Sequence, residues 1–211
     1  MADAVVAKPA SRDSGGTGTI GLLILTAGII VIGIHIVHPN FAKISAMLGI
    51  PIAGVEAAWK FSRSRGLPFA WVLATILVES GGKPNDRGDA GGRSVGLMQV
   101  NTVAHANEIA AAGLTPTSLF DPTTNVDWGT RVMKDIYDEV KAALAGRNVR
   151  TPIDETLRLA YKGPATVIKA IKSGQEPANI SWAPEALTRW RNATARVAAA
   201  GGGSVAKLPF V

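Results

Sequence analysis

The pattern of apolar and polar positions after residue 50 predicts a series of helices. Residues 68–80 are apolar nearly all round a helix, which is typical of a central buried helix, and Gly81 and Gly82 end it. Residues 83–95, rich in glycine and charged side chains, predict a loop or a small β-hairpin. Strand patterns are scarce, so the fold class is mainly α. Further helices are predicted over about 51–65, 97–112, 124–145, 151–161, 165–172 and 184–197.

A separate apolar run, Ile20–Val37, contains no Asp, Glu, Lys or Arg. As a helix it would reach about 27 Å, close to the hydrocarbon thickness of a bilayer, so it predicts one membrane-spanning helix. A wholly buried core helix is the alternative. A cleaved signal peptide fits less well, because the run is long and His38–Phe41 follows it in place of a small-residue cleavage site.

These patterns divide the chain into five parts. A chain of 211 residues suits one globular domain of ordinary size plus appendages. We predict a disordered segment (1–19), a transmembrane-type helix (20–37), a juxtamembrane connector (38–50), a helical domain (51–197) and a flexible tail (198–211).

The composition of the chain excludes several classes of functional site. The chain has no cysteine, which excludes disulfides, thiolate metal sites and cysteine nucleophiles. Of its three histidines, His35 and His38 lie at the end of the apolar run, so we expect no metal and no cofactor. The net charge of +6 favours anionic polymers, but the basic residues are dispersed, and nucleic-acid binding is therefore not expected.

The most distinctive charge is Glu79, in the last turn of the predicted buried helix. Burial disfavours a charged carboxylate, and the partial negative charge of a helix C-terminus disfavours it further. Both effects raise the pKa, and an acid that stays protonated near neutral pH can protonate a leaving-group oxygen. The alternative is that Glu79 turns to the surface where the helix ends.

Four separated pieces of the chain carry a family resemblance. They are a helix ending in Glu79-Ser80, the stretch Ser94–Val100 with its Gly-Leu-Met-Gln, the helix start Asp121–Met133, and Ala160–Pro164. In this order they resemble the catalytic domain of the soluble lytic transglycosylases, a family with a goose-type-lysozyme-like fold. The resemblance covers about residues 52–175, and it implies a lysozyme-like helical domain with a small loop or β-hairpin lobe.

The resemblance also implies roles for individual residues. Glu79 would be the catalytic acid/base, and Ser80 would orient it or the acetamido group of the substrate. Met98 and Gln99 would line the saccharide cleft, and Tyr161 would face the catalytic carboxylate. The chain departs from the family pattern at Lys162, where an asparagine is usual.

The family reaction cleaves the β-1,4 bond between N-acetylmuramic acid (MurNAc) and N-acetylglucosamine (GlcNAc) and leaves a 1,6-anhydro end. One carboxylate suffices for it, unlike the two of ordinary glycosidases. Two alternatives stay open. Asp86 or Asp89 would position a water and give lysozyme-type hydrolysis, or the domain is an inactive structural subunit of a membrane or virion assembly.

The expected partner is the glycan strand of peptidoglycan, with the membrane bound through residues 20–37. We expect the catalytic domain on the peptidoglycan (periplasmic) side of a membrane, or carried within a phage virion. In either setting, other subunits of an envelope or virion assembly are candidate partners.

Overall fold

The computed structural model describes residues 17–20, 34–37, 39–88 and 91–202. The chain separates into two units, Met1–Asn40 and Phe41–Val211. In the first unit, β1 (Thr17–Ile20) pairs with β2 (Ile34–Val37) in an antiparallel ladder that sets Thr17 opposite Val37.

The apolar run Ile20–Val37 therefore differs from its prediction at both ends, which are strands and not helix. A run without charged residues carries no periodicity that separates helix from strand, and its ends are rich in β-branched residues. The middle of the run, residues 21–33, lies outside the described residues. Among the described helices, none is long and apolar enough by itself to cross a membrane, although the bent pair Phe41–Leu48 and Ile52–Ser64 together meets that criterion of length and composition.

The second unit is mainly helical, which confirms the predicted fold class. Its eight described helices are α1 (Phe41–Leu48), α2 (Ile52–Ser64), α3 (Phe69–Ser80), α4 (Ala106–Ala111), α5 (Pro122–Leu144), α6 (Ile153–Lys162), α7 (Pro164–Lys172) and α8 (Ala183–Ala199). Short 3₁₀ helices at Pro116–Phe120 and Pro177–Asn179 join some of them.

Helix α3 lies at the centre of this unit and packs against α2 and α8. Every residue from Ala70 to Leu77 is buried, as its uniformly apolar sequence predicts. Trp71 on α3 and Trp128 on α5 are packing residues, 2% and 7% exposed. The long helix α5 packs on α2, and the Arg65 guanidinium strengthens that contact by bonding to Asp127 and to Thr130 Oγ1.

A small three-stranded antiparallel sheet forms where the loop or hairpin was predicted. It consists of β3 (Arg87–Gly88), β4 (Ser94–Val95) and β5 (Val100–Asn101), in that order. The third strand occupies the start of the helix expected over 97–112, so that only Ala106–Ala111 is helical there. The tight turn between β4 and β5 brings the two strands together, and a pairing between separate segments is not visible in local periodicity.

The helical domain is larger than predicted at both ends. Residues 41–50, expected to be a connector, include α1, and Ile44, Leu48 and Ile50 are among the most buried residues of the core. At the other end, α8 continues to Ala199. Gly202, placed in the predicted tail, lies so close to Val197 and Leu73 that a β-carbon there would be within 3.0 Å of both side chains.

Candidate active site

Glu79 lies in the last turn of α3, where the helix leaves the core. Gly81 ends the helix in the left-handed conformation with φ 62°, and its N–H bonds to the Leu77 carbonyl oxygen. The helix is anchored by its buried residues, so this ending fixes where the carboxyl group stands. Glu79 is half-buried and lines a cleft of about 530 Å³.

The surroundings of Glu79 raise the pKa of its carboxyl group from 4.5 to about 7. Burial is the larger effect, because it removes water from the charged form. The positive charges of Lys162 and Arg189 act in the opposite direction and hold the pKa down. The balance leaves both protonation states of Glu79 accessible near neutral pH, which suits a group that must donate and then accept a proton.

Ser80 points into the protein. It is 6% exposed, and its hydroxyl donates to the carbonyl oxygens of Leu97 (2.8 Å) and Ile76 (3.1 Å) and accepts from the Gly82 N–H (3.2 Å). The hydroxyl thus ties the end of α3 to the turn that follows β4. The structure places Ser80 behind the cleft, as a residue that positions its floor.

The turn Gly96–Gln99 forms that floor, and Asn125 holds it. The Asn125 side chain is 1% exposed; its Oδ1 accepts from the Met98 N–H at 2.7 Å, and its Nδ2 donates to the carbonyl oxygens of Val95 (2.9 Å) and Leu119 (2.8 Å). Gly96 has φ 78°, and a β-carbon there would lie 2.1 Å from Asn125 Nδ2. Only glycine fits, because both the backbone angle and the space exclude a side chain.

The side chain of Met98 is fully buried and packs against Gly129 of α5. The resemblance implied that Met98 would line the cleft, but its side chain is not part of the cleft surface. Met98 contributes its backbone instead. Its carbonyl oxygen accepts a hydrogen bond of 2.9 Å from the Tyr161 hydroxyl.

Gln99 does line the cleft. Its backbone has φ 49°, the one positive value at a described non-glycine residue, and its Nε2 donates to the Gly96 carbonyl oxygen at 2.9 Å. Its Oε1 is buried without a hydrogen-bond partner among the described residues and faces Gly88, where a β-carbon would approach it to 2.1 Å. A strained backbone and an unsatisfied acceptor at a cleft are features that functional sites often retain.

Tyr161 lines the cleft beside the Gly96–Gln99 turn, to which its hydroxyl is bonded through Met98. Burial raises the pKa of its hydroxyl well above the usual 10.0, and the negative charge of Glu79 raises it further. The hydroxyl therefore stays neutral and remains a donor to Met98. Tyr161 and Glu79 line the same cleft, and the carboxylate charge acts on the tyrosine hydroxyl.

Glu79 is the only carboxylate among the described residues that line the cleft. Asp86 lies outside the lining; its backbone carbonyl accepts from the Gly96 N–H at 2.9 Å, directly before strand β3. Asp89 is outside the described residues. Within the described ranges, no group of three or more His, Asp or Glu side chains could hold a metal. The cleft is lined by Val78, Glu79, Gly88, Ser94, Gln99, Val100, Asn101, Ala104, His105, Val132, Ile136, Tyr161, Lys162, Pro164 and Arg189.

Two contributions to the site were not predicted. The role of Asn125 depends on three backbone groups from separate segments, and the sequence shows only an asparagine near the start of a predicted helix. Arg189 belongs to α8, far along the chain from the other site residues, and nothing in its local sequence separates it from a solvated helix position.

The helical domain also matches a known family. The family model described as Transglycosylase SLT domain matches residues 57–182, more than half of the chain and the range that holds α3, the Gly96–Gln99 turn and Tyr161. No curated protein matches the chain. The match shows that the chain belongs to the SLT transglycosylase family, the lytic transglycosylases that act on peptidoglycan.

Proposed function

We propose that the protein cleaves the MurNAc–GlcNAc β-1,4 bond of peptidoglycan with Glu79 as its single acid/base and leaves 1,6-anhydro-MurNAc ends. The observation that carries the proposal is the position of Glu79. It is the one carboxylate among the described lining residues, and its pKa of about 7 lets it work in both directions near neutral pH.

The first half of the reaction is an acid step. Protonated Glu79 donates its proton to the glycosidic oxygen, the bond between that oxygen and C1 of MurNAc breaks, and GlcNAc leaves as an alcohol. The carboxylate that remains is stabilised by the positive charges of Lys162 and Arg189.

The second half is a base step. The O6 hydroxyl of the same MurNAc attacks C1, and Glu79 takes the O6 proton as the new bond forms. The enzyme returns to its starting protonation state and no water is consumed. Burial of the carboxylate favours this step because it makes the charged form a stronger base.

Hydrolysis is the competing outcome, and it requires a second group that directs a water to C1. Asp86 does not line the cleft, which supports the anhydro product. Asp89 is the remaining candidate for the group that directs a water to C1.

The test is product analysis with purified peptidoglycan. We expect the wild type to release anhydro-muropeptides and Glu79→Gln to lose about 10²- to 10⁴-fold in rate, since the amide cannot transfer the proton. Asp86→Asn is the matched control and keeps the wild-type rate. A wild type that releases no muropeptides contradicts the proposal and favours the hypothesis that the domain is an inactive structural subunit.

Mass spectrometry separates the two chemistries, because a hydrolysed end is one water heavier than an anhydro end. Predominantly hydrolysed ends that disappear in Asp89→Asn would replace the lyase mechanism with water attack. Anhydro ends that persist in Asp89→Asn support the single-carboxylate mechanism.

We also propose that the domain works on the peptidoglycan side of a membrane or within a phage particle. This proposal rests on the charge-free run 20–37. Cell fractionation of the full chain and of a variant lacking residues 20–37 tests it. Loss of membrane association in the shortened protein is expected, and an unchanged distribution contradicts anchoring by that run.

A further inference from the structure

A second, smaller hollow lies beside the catalytic cleft. Its volume is about 100 Å³, and it is lined by Val78, Glu79, Lys162, Ala186, Arg189 and Trp190. Four of these residues, Val78, Glu79, Lys162 and Arg189, also line the main cleft, so the hollow is a side branch of it at the catalytic carboxyl. One wall is helix α8, which lies beyond the range of the family match.

Lys162 is one of the residues that line this hollow. It is the last residue of α6, and its Nζ stands 5.3 Å from the ring centroid of Trp182. The ring in turn packs on Gly163, where a β-carbon would approach it to 3.2 Å. Among the described residues Lys162 makes no ion pair with a carboxylate, so its charge is available to a ligand.

Arg189 supplies the second positive charge from α8. Its guanidinium pairs with Glu185 one turn earlier at 2.5 Å, and the two side chains are 61% and 65% exposed. An exposed pair one helical turn apart contributes little to stability, because solvent screens both charges. The arginine can therefore exchange this partner for a ligand at little cost.

The chemistry of these two side chains points to an anion. Both of their positive charges act on Glu79, and because that carboxyl is partly protonated near neutral pH, it neutralises them only in part. A compact hollow with an ammonium and a planar guanidinium suits a carboxylate, which binds both through charge-assisted hydrogen bonds.

We propose that Lys162 and Arg189 form an anion subsite beside Glu79 that binds a carboxylate carried by the glycan strand. The inference rests on the proposed function. Two sources offer the same chemistry, the free lactyl carboxylate of a peptide-free MurNAc and the carboxylates of a stem peptide. A chitin strand has neither, so the subsite distinguishes wall glycan from neutral glycan.

Binding, and not activity, has to be measured, because removing either cation also changes the pKa of Glu79. The full chain with Glu79→Gln removes both turnover and that titration. In this background, calorimetry gives the Kd for three glycans of equal length: peptide-free MurNAc–GlcNAc strands, peptide-bearing strands and a chitin oligosaccharide.

We expect Lys162→Met and Arg189→Met each to weaken binding of a carboxylate-bearing strand by about 5- to 10-fold, and to leave chitin binding unchanged. The weakening should shrink as salt is added, because screening reduces the charged contribution in the parent protein. Loss with peptide-free strands identifies the lactyl carboxylate, and loss only with peptide-bearing strands identifies the stem peptide.

The control variants are Arg191→Met and Lys169→Met. Arg191 lies two residues beyond Arg189, about 200° round the same helix, and is 64% exposed, where it contacts Glu155. Both controls remove one positive charge outside the hollow and should keep the parent Kd for all three glycans.

Several results would overturn the subsite. They are an unchanged Kd in both cleft variants, an equal loss for chitin and wall glycan, or the same loss in the control variants. A parent protein that binds chitin but not wall glycan also contradicts it. Failure of the proposed function is seen separately, as a wild type that releases no muropeptides.

Discussion

The raised pKa of Glu79 has a consequence for stability that is independent of catalysis. An acid whose pKa rises from 4.5 to about 7 on folding binds its proton more tightly in the folded state. Stability is therefore unaffected below about pH 4.5, decreases as the pH rises towards 7, and stays reduced above it. The shift corresponds to about 3 kcal/mol of lost folding free energy at pH 8.

Glu79→Gln removes this penalty. Glutamine has nearly the shape of a protonated glutamate and carries no charge at any pH. The pKa shift already includes the opposing attraction of Lys162 and Arg189, so the lost folding free energy is the net of burial and attraction. We expect the variant to match the wild type at pH 4.5 and to exceed its free energy of unfolding by about 3 kcal/mol at pH 8.

Urea denaturation of both proteins at a series of pH values from 4.5 to 8 measures this difference. Glu56→Gln, at an exposed position of α2, controls for the loss of one carboxylate and should differ little from the wild type at either end of the series. A constant difference between Glu79→Gln and wild type across the series would refute the reasoning. A variant that is less stable at pH 8 would show that attraction to the two cations outweighs burial.

Three further predictions concern the groups that hold the site. Asn125→Ala leaves the Met98 N–H and two carbonyl oxygens without their partner, so it should lower the free energy of unfolding by about 3 kcal/mol, measured by urea denaturation, and reduce wall-cleaving activity. An unchanged free energy of unfolding and unchanged activity would show that water replaces the amide. Tyr161→Phe removes only the hydroxyl that donates to Met98, and should cost about 1 kcal/mol in thermal unfolding experiments; no change would mean that this bond contributes nothing net. Glu176→Gln removes a carboxylate that accepts from the Arg150 and Thr151 N–H groups and from the Thr151 hydroxyl, contacts that lower its pKa to about 2. The wild type should be more stable than the variant above about pH 4.5 and should lose this difference in stability as the pH falls through 2. A difference in stability that persists at about pH 1.5 would show that these contacts are not its source.

Local patterns in the sequence determine most of the helical framework. Helix α3 is buried from Ala70 to Leu77 as its apolar run predicts, and Gly81 ends it in the left-handed conformation. Glu79 at that end was recognisable as a charge in an apolar setting. The physical reason is that helix period, glycine stops and burial of a uniformly apolar segment all act over a few consecutive residues.

The charge-free run Ile20–Val37 shows the limit of such patterns. Without alternating polar positions, nothing local separates helix from strand, and the described ends of the run are strands. The same limit applies to β5, which forms because the Gly96–Gln99 turn brings Val100 back alongside Val95. Pairing between segments is a property of the chain's path and not of either segment alone.

The working site is decided almost entirely by tertiary structure. Ser80 and Met98 lie beside cleft residues in the sequence, yet the fold turns both side chains inward and uses them to support the floor. Arg189 comes from a distant helix and reaches the same carboxyl as Lys162. The sequence alone determined that a carboxylic acid, Glu79, stands at the end of a buried helix. Only the packing of α6 and α8 around it decided that its pKa lies near neutrality, because burial and two cations from separate segments act on the carboxyl group at once.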